Sequence, residues 1–247
     1  MKRLPLVAAS ALLIASFPFS TKARQVSVTY RFSEPRIETS QDGFSLLFFP
    51  STIQAGKAGG PSFPFRGIRI LLPPGEAASA ISFNRRGWKD IDKEIILRPR
   101  QHPLPGIEAE GSESAFLYNE TAYSSAEWIH PPSSGPRTHY YRGHPIVTGS
   151  FTPAGFLPSA NRVGYYSEVE VIVETIPSEK SSEALSLLRS DAPTIKYLEG
   201  LIDNPSAEAF YDRISGPILP AGDEYEYLII TKAILENDFI PLKEFYT

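Results

Sequence analysis

From Val26 onward, apolar and polar residues alternate. Val26, Val28, Tyr30 and Phe32 are interleaved with Ser27, Thr29, Arg31 and Ser33. A period of two puts one face of a strand on a core and the other in water. Glu34-Pro35 ends or kinks this strand. Gln41-Asp42-Gly43 has turn chemistry, and the apolar run Phe44 to Phe49 is short enough for a second strand. Gly56 to Gly60 reads as a flexible loop. Phe65 to Leu72 places Ile68, Ile70 and Leu72 on one face, and Pro73-Pro74-Gly75 stops it. Ala80 to Phe83 is the next segment able to pair. Tyr140 to Thr148 and Gly164 to Ile176 resume strand character. In the latter, Val169, Val171 and Val173 face one way and Glu168, Glu170 and Glu174 the other. The pattern predicts a mainly β chain, with an antiparallel β-sandwich over about Val26 to Ile176. Arg98 to Pro136 interrupts it. That stretch is rich in Pro, Gly, Ser and Glu and too polar for regular core strands, so it either carries function or wraps the surface.

The pattern changes after Pro177. Ala184, Leu187 and Leu188 have helical spacing within Ser182 to Arg189. Thr194 to Ile202 and Ser206 to Ile214 read similarly, with Asp203-Asn204-Pro205 between them. These short amphipathic helices predict a connector packed on a neighbour. Gly216-Pro217 and Pro220-Ala221-Gly222 mark a boundary. Tyr225 to Thr231 then reads as a strand apolar on both faces, and Ile234 to Tyr246 as a helix. One strand and one helix cannot bury both their faces, so this end either docks on the sandwich or begins an α/β domain. The division expected is residues 1–23, 24–177, 178–222 and 223–247. No internal repeat is present.

Charge and composition narrow the setting. Met1-Lys2-Arg3 precedes the apolar stretch Leu4 to Phe19, and Ser20-Thr21-Lys22-Ala23 ends in a small residue. These are the three parts of an export signal, with cleavage expected between Ala23 and Arg24. The expected location is the bacterial surface or the medium. The chain has 24 basic and 28 acidic residues; without Lys2, Arg3 and Lys22 the balance is 21 to 28, a net −7. This is not a nucleic-acid footprint. No apolar run of about 18 residues follows the signal, so no membrane span is expected after its removal. The 23 prolines and 17 glycines suit many short strands joined by turns. There is no cysteine, which excludes disulfides, thiolate metal sites and a cysteine nucleophile within this chain.

Four segments, in order, resemble the N-terminal propeptide of gingipain-type (family C25) cysteine peptidases. They are VTYRFSEPRIE followed by DGFSLLFFP, GGPSFPFRGIRILLPPG, LYNETAYSSAEWIHPP, and YYRGHPIVTGSFTPAGFLPSANRVGYYSEVEVIVE. YEYLIIT and IPLKEFYT resemble the first strand and helix of the peptidase domain. The resemblance runs from about Val26 to Thr247, and the order of the segments is more specific than any one of them. It implies a sandwich propeptide, a helical connector and the first βα unit of a truncated, caspase-like α/β domain. It also implies that the catalytic pair lies beyond Thr247 and that the partner is the chain's own downstream peptidase domain. Within the second segment, Gly60 would allow an unusual φ, while Pro61 and Pro64 would let the chain lie extended across an edge without inviting pairing.

Other chemistry is sparse. His102, His130, His139 and His144 show neither HxH nor HExxH spacing, and no cofactor is called for. Glu108, Glu110 and Glu113 read as solvated loop residues rather than a glycosidase pair. Trp88 and Trp128 would either form a sugar platform or, as is commoner in a small sandwich, complete the core. Asn119-Glu120-Thr121 fits a glycosylation triplet by chance. Two functions stay open. One is a propeptide that assists folding and covers the active site, in which Arg98, Arg100 or Arg137 would occupy a basic-residue pocket unless these arginines are simply solvated. The other is a retained binding or attachment module, which exposed Tyr and Trp on a non-core face would favour. An independent hydrolase lacks any nucleophile–base motif.

Overall fold

The computed structural model describes residues 24–102, 116–211, 214 and 232–245. The chain divides into two compact units, Met1–Gly216 and Pro217–Thr247. Along the first run β1 (Arg24–Arg31), β2 (Arg36–Thr39), β3 (Ser45–Phe48), β4 (Thr52–Ala55), β5 (Phe63–Leu71), β6 (Glu76–Asp90), the single-turn helix α1 (Glu120–Tyr123), β7 (Ser134–Tyr141), β8 (His144–Phe151), β9 (Ala154–Leu157) and β10 (Arg162–Pro177). Then come α2 (Glu179–Leu185), α3 (Ala192–Leu201) and a 3-10 helix, Pro205–Phe210.

The expected antiparallel sandwich is present. One sheet has the order β1-β10-β6, with β9 beside the start of β10; the other has the order β4-β5-β8-β7. The hairpin β2-β3 stands apart. Alternation sets the register: Val26, Val28 and Tyr30 lie opposite Val173, Val171 and Val169, and the three β10 valines are fully buried. Ile68, Ile70 and Leu72 meet them from the second sheet in one core. Phe151 joins the sheets, with ring centroids 5.4 Å from Tyr30 and 5.6 Å from Phe83. On the wet face, Arg86 reaches Glu170 at 3.3 Å and Glu168 at 3.8 Å, and Arg31 reaches Glu168 at 3.4 Å. Such exposed pairs stabilise little, but they keep the outer face polar.

Several expectations change. Arg36–Thr39 forms a strand where only a kink was expected. Ala80 to Phe83 is the middle of the much longer β6, whose register with β10 runs from Glu76↔Pro177 to Asp90↔Gly164. Tyr140 to Thr148 is not one strand. It is the hairpin β7-β8, turned at Arg142 (φ 46°) and Gly143 (φ 89°). Positive φ at both central residues matches the strand twist. Arg142 is fixed there by donating to Thr194 Oγ1 at 2.6 Å.

The segment after Pro177 packs on the outer face of the second sheet. Leu188, Leu198, Ile202, Ala207 and Tyr211 cover Leu71 and Ile146 in a second apolar cluster. The strap also closes an open edge. β4 pairs only with Phe63 to Arg66 of β5, which leaves the outward backbone groups of Arg69 and Leu71 without a strand. Asp203 N–H donates to Arg69 C=O and Arg69 N–H to Asp203 Oδ2, both at 2.7 Å. Leu71 N–H donates to Asn204 Oδ1 at 2.8 Å, and Asn204 Nδ2 to Leu71 C=O at 2.9 Å. Two side chains and the Asp203 N–H thus complete the ladder, as buried backbone groups require. Asp203 also accepts from Arg66 at 2.6 Å and from the Tyr30 hydroxyl at 2.9 Å.

In the second unit a 3-10 helix, Ala233–Phe239, continues as α4 (Ile240–Phe245). The helix expected from Ile234 is therefore 3-10 in its first half. The strand expected over Tyr225 to Thr231 lies outside the described residues, as do the export signal with Ala23 and the acids Glu108, Glu110 and Glu113.

Candidate functional site

The glycine–proline element and the arginine-bearing segment pair with each other. Gly59 N–H donates to Arg100 C=O at 2.7 Å, Arg100 N–H to Gly60 C=O at 2.8 Å, and Ser62 N–H to Arg98 C=O at 2.9 Å. Pro61 stands opposite Pro99, and Pro64 opposite Gln54 in the β4-β5 ladder. The element is therefore paired on its own side of the sandwich and not left bare at an edge. The special backbone demand also falls elsewhere than expected. Gly59 has φ +76°, whereas a Cβ on Gly60 would meet Lys57, its carbonyl oxygen at 3.4 Å and its Cβ at 4.0 Å. Gly56 provides the close approach: a Cβ there would lie 2.6 Å from the Pro61 carbonyl oxygen.

Arg98 continues the arrangement by donating its N–H to Ser45 C=O at 2.8 Å, while Ser45 N–H donates to Ile96 C=O. Its guanidinium lies 3.9 Å from Asp42, and both side chains are about two-fifths exposed. The Ser40 hydroxyl donates to Asp42 and holds that carboxyl below its usual range. Arg100 is half-buried one step further along. Arg137 is exposed on β7, opposite Thr148. The structure thus joins Arg98 and Arg100 on one segment and sets Arg137 on the edge strand of the second sheet. Arg24 opens β1 opposite Thr175 and lies 3.2 Å from Glu76.

In the stretch between Arg98 and Pro136, the described residues, 98–102 and 116–136, are more tightly held than their composition suggests. Leu117 N–H donates to Gln101 Oε1 at 2.9 Å, and Gln101 Nε2 donates to Leu117 C=O at 3.0 Å. Asn119 N–H donates to Gly59 C=O, and its side chain caps α1 by accepting from Ala122 N–H. The Tyr123 hydroxyl donates to Leu97 C=O at 2.6 Å, and burial pushes that phenol well up. Phe44, Phe116, Tyr118 and Tyr123 stack beside this clasp, with Tyr118 and Tyr123 centroids 4.6 Å apart. Phe116 and Tyr118 are exposed by 52% and 45%. An open cavity of about 470 Å³ lies between Ala58-Gly59 and Leu117 to Glu120. Sequence reasoning missed Gln101, Phe44 and Phe116, and only the local density of Tyr hinted at the cluster.

Trp88 and Trp128 do not complete the core. With His130 and Tyr166 they form a cluster on the outer side of the first sheet, Trp88 being 4.9 Å from Trp128 and 4.7 Å from Tyr166. Gly164 and Gly155 make the floor: a Cβ on Gly164 would lie 2.3 Å from Trp88 Cζ2, and one on Gly155 2.5 Å from His130 Cε1. His102 and His139 are exposed, while His144 is fully buried. Among the described residues no three side chains of the kinds that bind metals converge, and no helix is long and apolar enough to cross a membrane.

No family profile matches the chain, and no curated protein does. Solved structures do. One chain of the complex of Porphyromonas gingivalis RgpB pro- and mature domains superposes with a TM-score of 0.53 at 13% identity, over 74% of this chain and 93% of that one. The fold is of the gingipain propeptide type. A chain from the study of zymogenic latency of Porphyromonas gingivalis gingipain K matches at a TM-score of 0.46 and 18% identity, over 62% of this chain and 88% of that one. Having no cysteine, a chain of this propeptide-like fold holds no thiol nucleophile of its own.

Proposed function

We propose that this chain is the propeptide region of an exported gingipain-like cysteine endopeptidase, which assists the folding of the peptidase and holds it latent. The observation that carries this reading is the superposition over nearly all of a chain from a complex of pro- and mature domains. The clasped segment offers the means. Backbone pairing of Arg98 to Ser45 and Ser62, and of Arg100 to Gly59 and Gly60, would hold the two arginines in place, and a guanidinium matches a pocket carboxylate in two-point geometry. Cleavage after Ala23 would leave β1 whole, since Arg24 already pairs with Thr175.

The test is to add the purified chain to a mature gingipain-type peptidase from the same organism. Stoichiometric inhibition and a higher refolding yield are expected. Co-elution without either effect would instead identify a retained binding module, the reading that the outer-face Trp88–Trp128 cluster favours. Absence of binding would defeat the propeptide reading. Alanine at Arg98, Arg100 and Arg137 in turn identifies the pocket residue. Truncating one partner of a desolvated charge pair should raise the inhibition constant by more than about tenfold. If none of the three does so, the arginine reading fails.

A further inference from the structure

We propose that His144 is an acid-sensitive latch: a proton added at Nε2 undocks the Ser178–Tyr211 strap from β5 and β8. His144 opens β8 directly after the Arg142-Gly143 turn, and its side chain is fully buried. Nδ1 lies 3.2 Å from the Tyr141 carbonyl oxygen, so the neutral ring donates there. Nε2 is buried and has no hydrogen-bond partner among the described residues. The ring packs 4.7 Å from Tyr211, at the end of the strap, whose hydroxyl donates to Leu72 C=O at 2.7 Å. Tyr211 in turn belongs to the apolar cluster of Leu71, Ile146, Leu188, Leu198 and Ile202. The turn itself is pressed on the strap, since a Cβ on Gly143 would lie 2.5 Å from Leu188 Cα. A second proton would therefore put an unpaired N–H and a positive charge in an apolar seam, a burial that is costly unless compensated.

The neighbouring charges do not provide that compensation. Arg142 is engaged by Thr194 and lies 3.8 Å from Asp191. Glu76, near Tyr211, is engaged by Arg24 and Thr175. Glu208, in the last strap turn, is engaged as well. Tyr211 is a phenol raised far above neutrality by burial, and it stays uncharged. Burial likewise holds the His144 ring below its usual value, against the pull of the Tyr141 and Arg142 backbone. The unfolded chain then takes up its proton first. The stability that the neutral ring supports is present above the ordinary histidine value and is lost as pH falls below it. His130 is shifted in the same direction, but it is exposed and its cation can be hydrated. The depressed carboxyls of Asp42 and Asp191 release their contribution only below the usual carboxylate value of 3.8, well under this window.

The experiment follows urea unfolding of the whole chain by circular dichroism from pH 7.5 to 5.0, for the wild type, His144→Phe and His130→Gln. Below about pH 6.5 the wild-type folding constant should fall by up to about tenfold per pH unit, the slope of one linked proton. His144→Phe should flatten the slope, and His130→Gln should retain most of it. Hydrogen exchange at pH 5 should release the Ile202 and Tyr211 amides before Val171 of β10. Imidazole NMR of the wild-type chain gives a reading that needs no variant. A His144 titration at or above the ordinary histidine value would overturn the latch, as would an unchanged slope in His144→Phe. Every measurement uses the chain alone, so the outcome is independent of any peptidase partner.

Discussion

Asp203 concentrates more of the fold's polar bonding than any pattern around it suggests. One carboxylate takes the Arg66 guanidinium, the Tyr30 hydroxyl and the Arg69 N–H, while Arg66 lies over the Tyr30 ring at 5.4 Å. The two charged side chains are only 18% and 11% exposed. Removing one member of such a pair strands the other, so Asp203→Ala should destabilise the first unit by about 3 kcal/mol or more. Tyr30→Phe removes one of several bonds and should cost about 1.5–3 kcal/mol, as for a single hydrogen bond to a charged group. Urea titration of both variants and of the double variant gives the coupling, and additive effects would show that the hub is not a unit. A second residue-scale prediction concerns Gly164. With 2.3 Å between a new Cβ and Trp88, Gly164→Ala must lift the indole off the sheet. The expected loss is about 1–3 kcal/mol, with a red shift in tryptophan emission as the ring becomes wetter. An unchanged spectrum would refute the tight floor.

At the scale of elements, the strap completes the β5 ladder with side chains. Asn204→Ala leaves a donor and an acceptor of Leu71 unmet, for an expected cost of about 2–3 kcal/mol and faster exchange of the Leu71 amide. Unaltered exchange would mean that water replaces the Asn204 side chain there. The same elements show where the sequence could be read and where it could not. β10 was legible because Val169, Val171 and Val173 alternate strictly and one face is wholly buried. β6 was not legible beyond Ala80 to Phe83. EAASAISFNRRGWKD has little alternation of its own, and its ends are strand because β10 pairs with them throughout; tertiary pairing overrides propensity. The β7-β8 turn was hidden because Arg142 stands where Asn or Asp signals such a turn, and Thr194 holds it. The Gly-Pro element was visible in the sequence, but the partner that pairs with it, Arg98 to Arg100, was not. That pairing is long-range and joins two segments that each look irregular. Trp88 and Trp128 were visible as residues and misplaced as core. Their outward position depends on two glycines on other strands, which no local pattern connects to them.

For the whole molecule, the separation at Gly216 is a claim about cooperativity. The first unit's two apolar clusters draw their buried residues from Phe32 to Tyr211, and its strap is bonded to β5 within that span. Nothing buried in those clusters comes from Pro217–Thr247 among the described residues. A unit with a complete core should unfold as one two-state transition whether or not the second unit is attached. Two measurements test this. Limited proteolysis should cut between Tyr211 and Lys232 and leave a fragment that starts near Arg24 and retains β10. Deleting Pro217–Thr247 should leave the urea midpoint of the remainder unchanged, whereas cutting further back, at Pro177, should expose Leu71 and Ile146 and yield an aggregating sandwich. The second cut matters because it separates two divisions of the chain. If the helices were only a connector, as their spacing first suggests, both truncations would be tolerated. If they belong to the sandwich, as Asp203, Asn204 and Tyr211 require, only the first is tolerated. Should deletion of Pro217–Thr247 itself unfold the sandwich, the two units form one cooperative domain, and residues 217–247 are part of the propeptide-type fold rather than the opening of another.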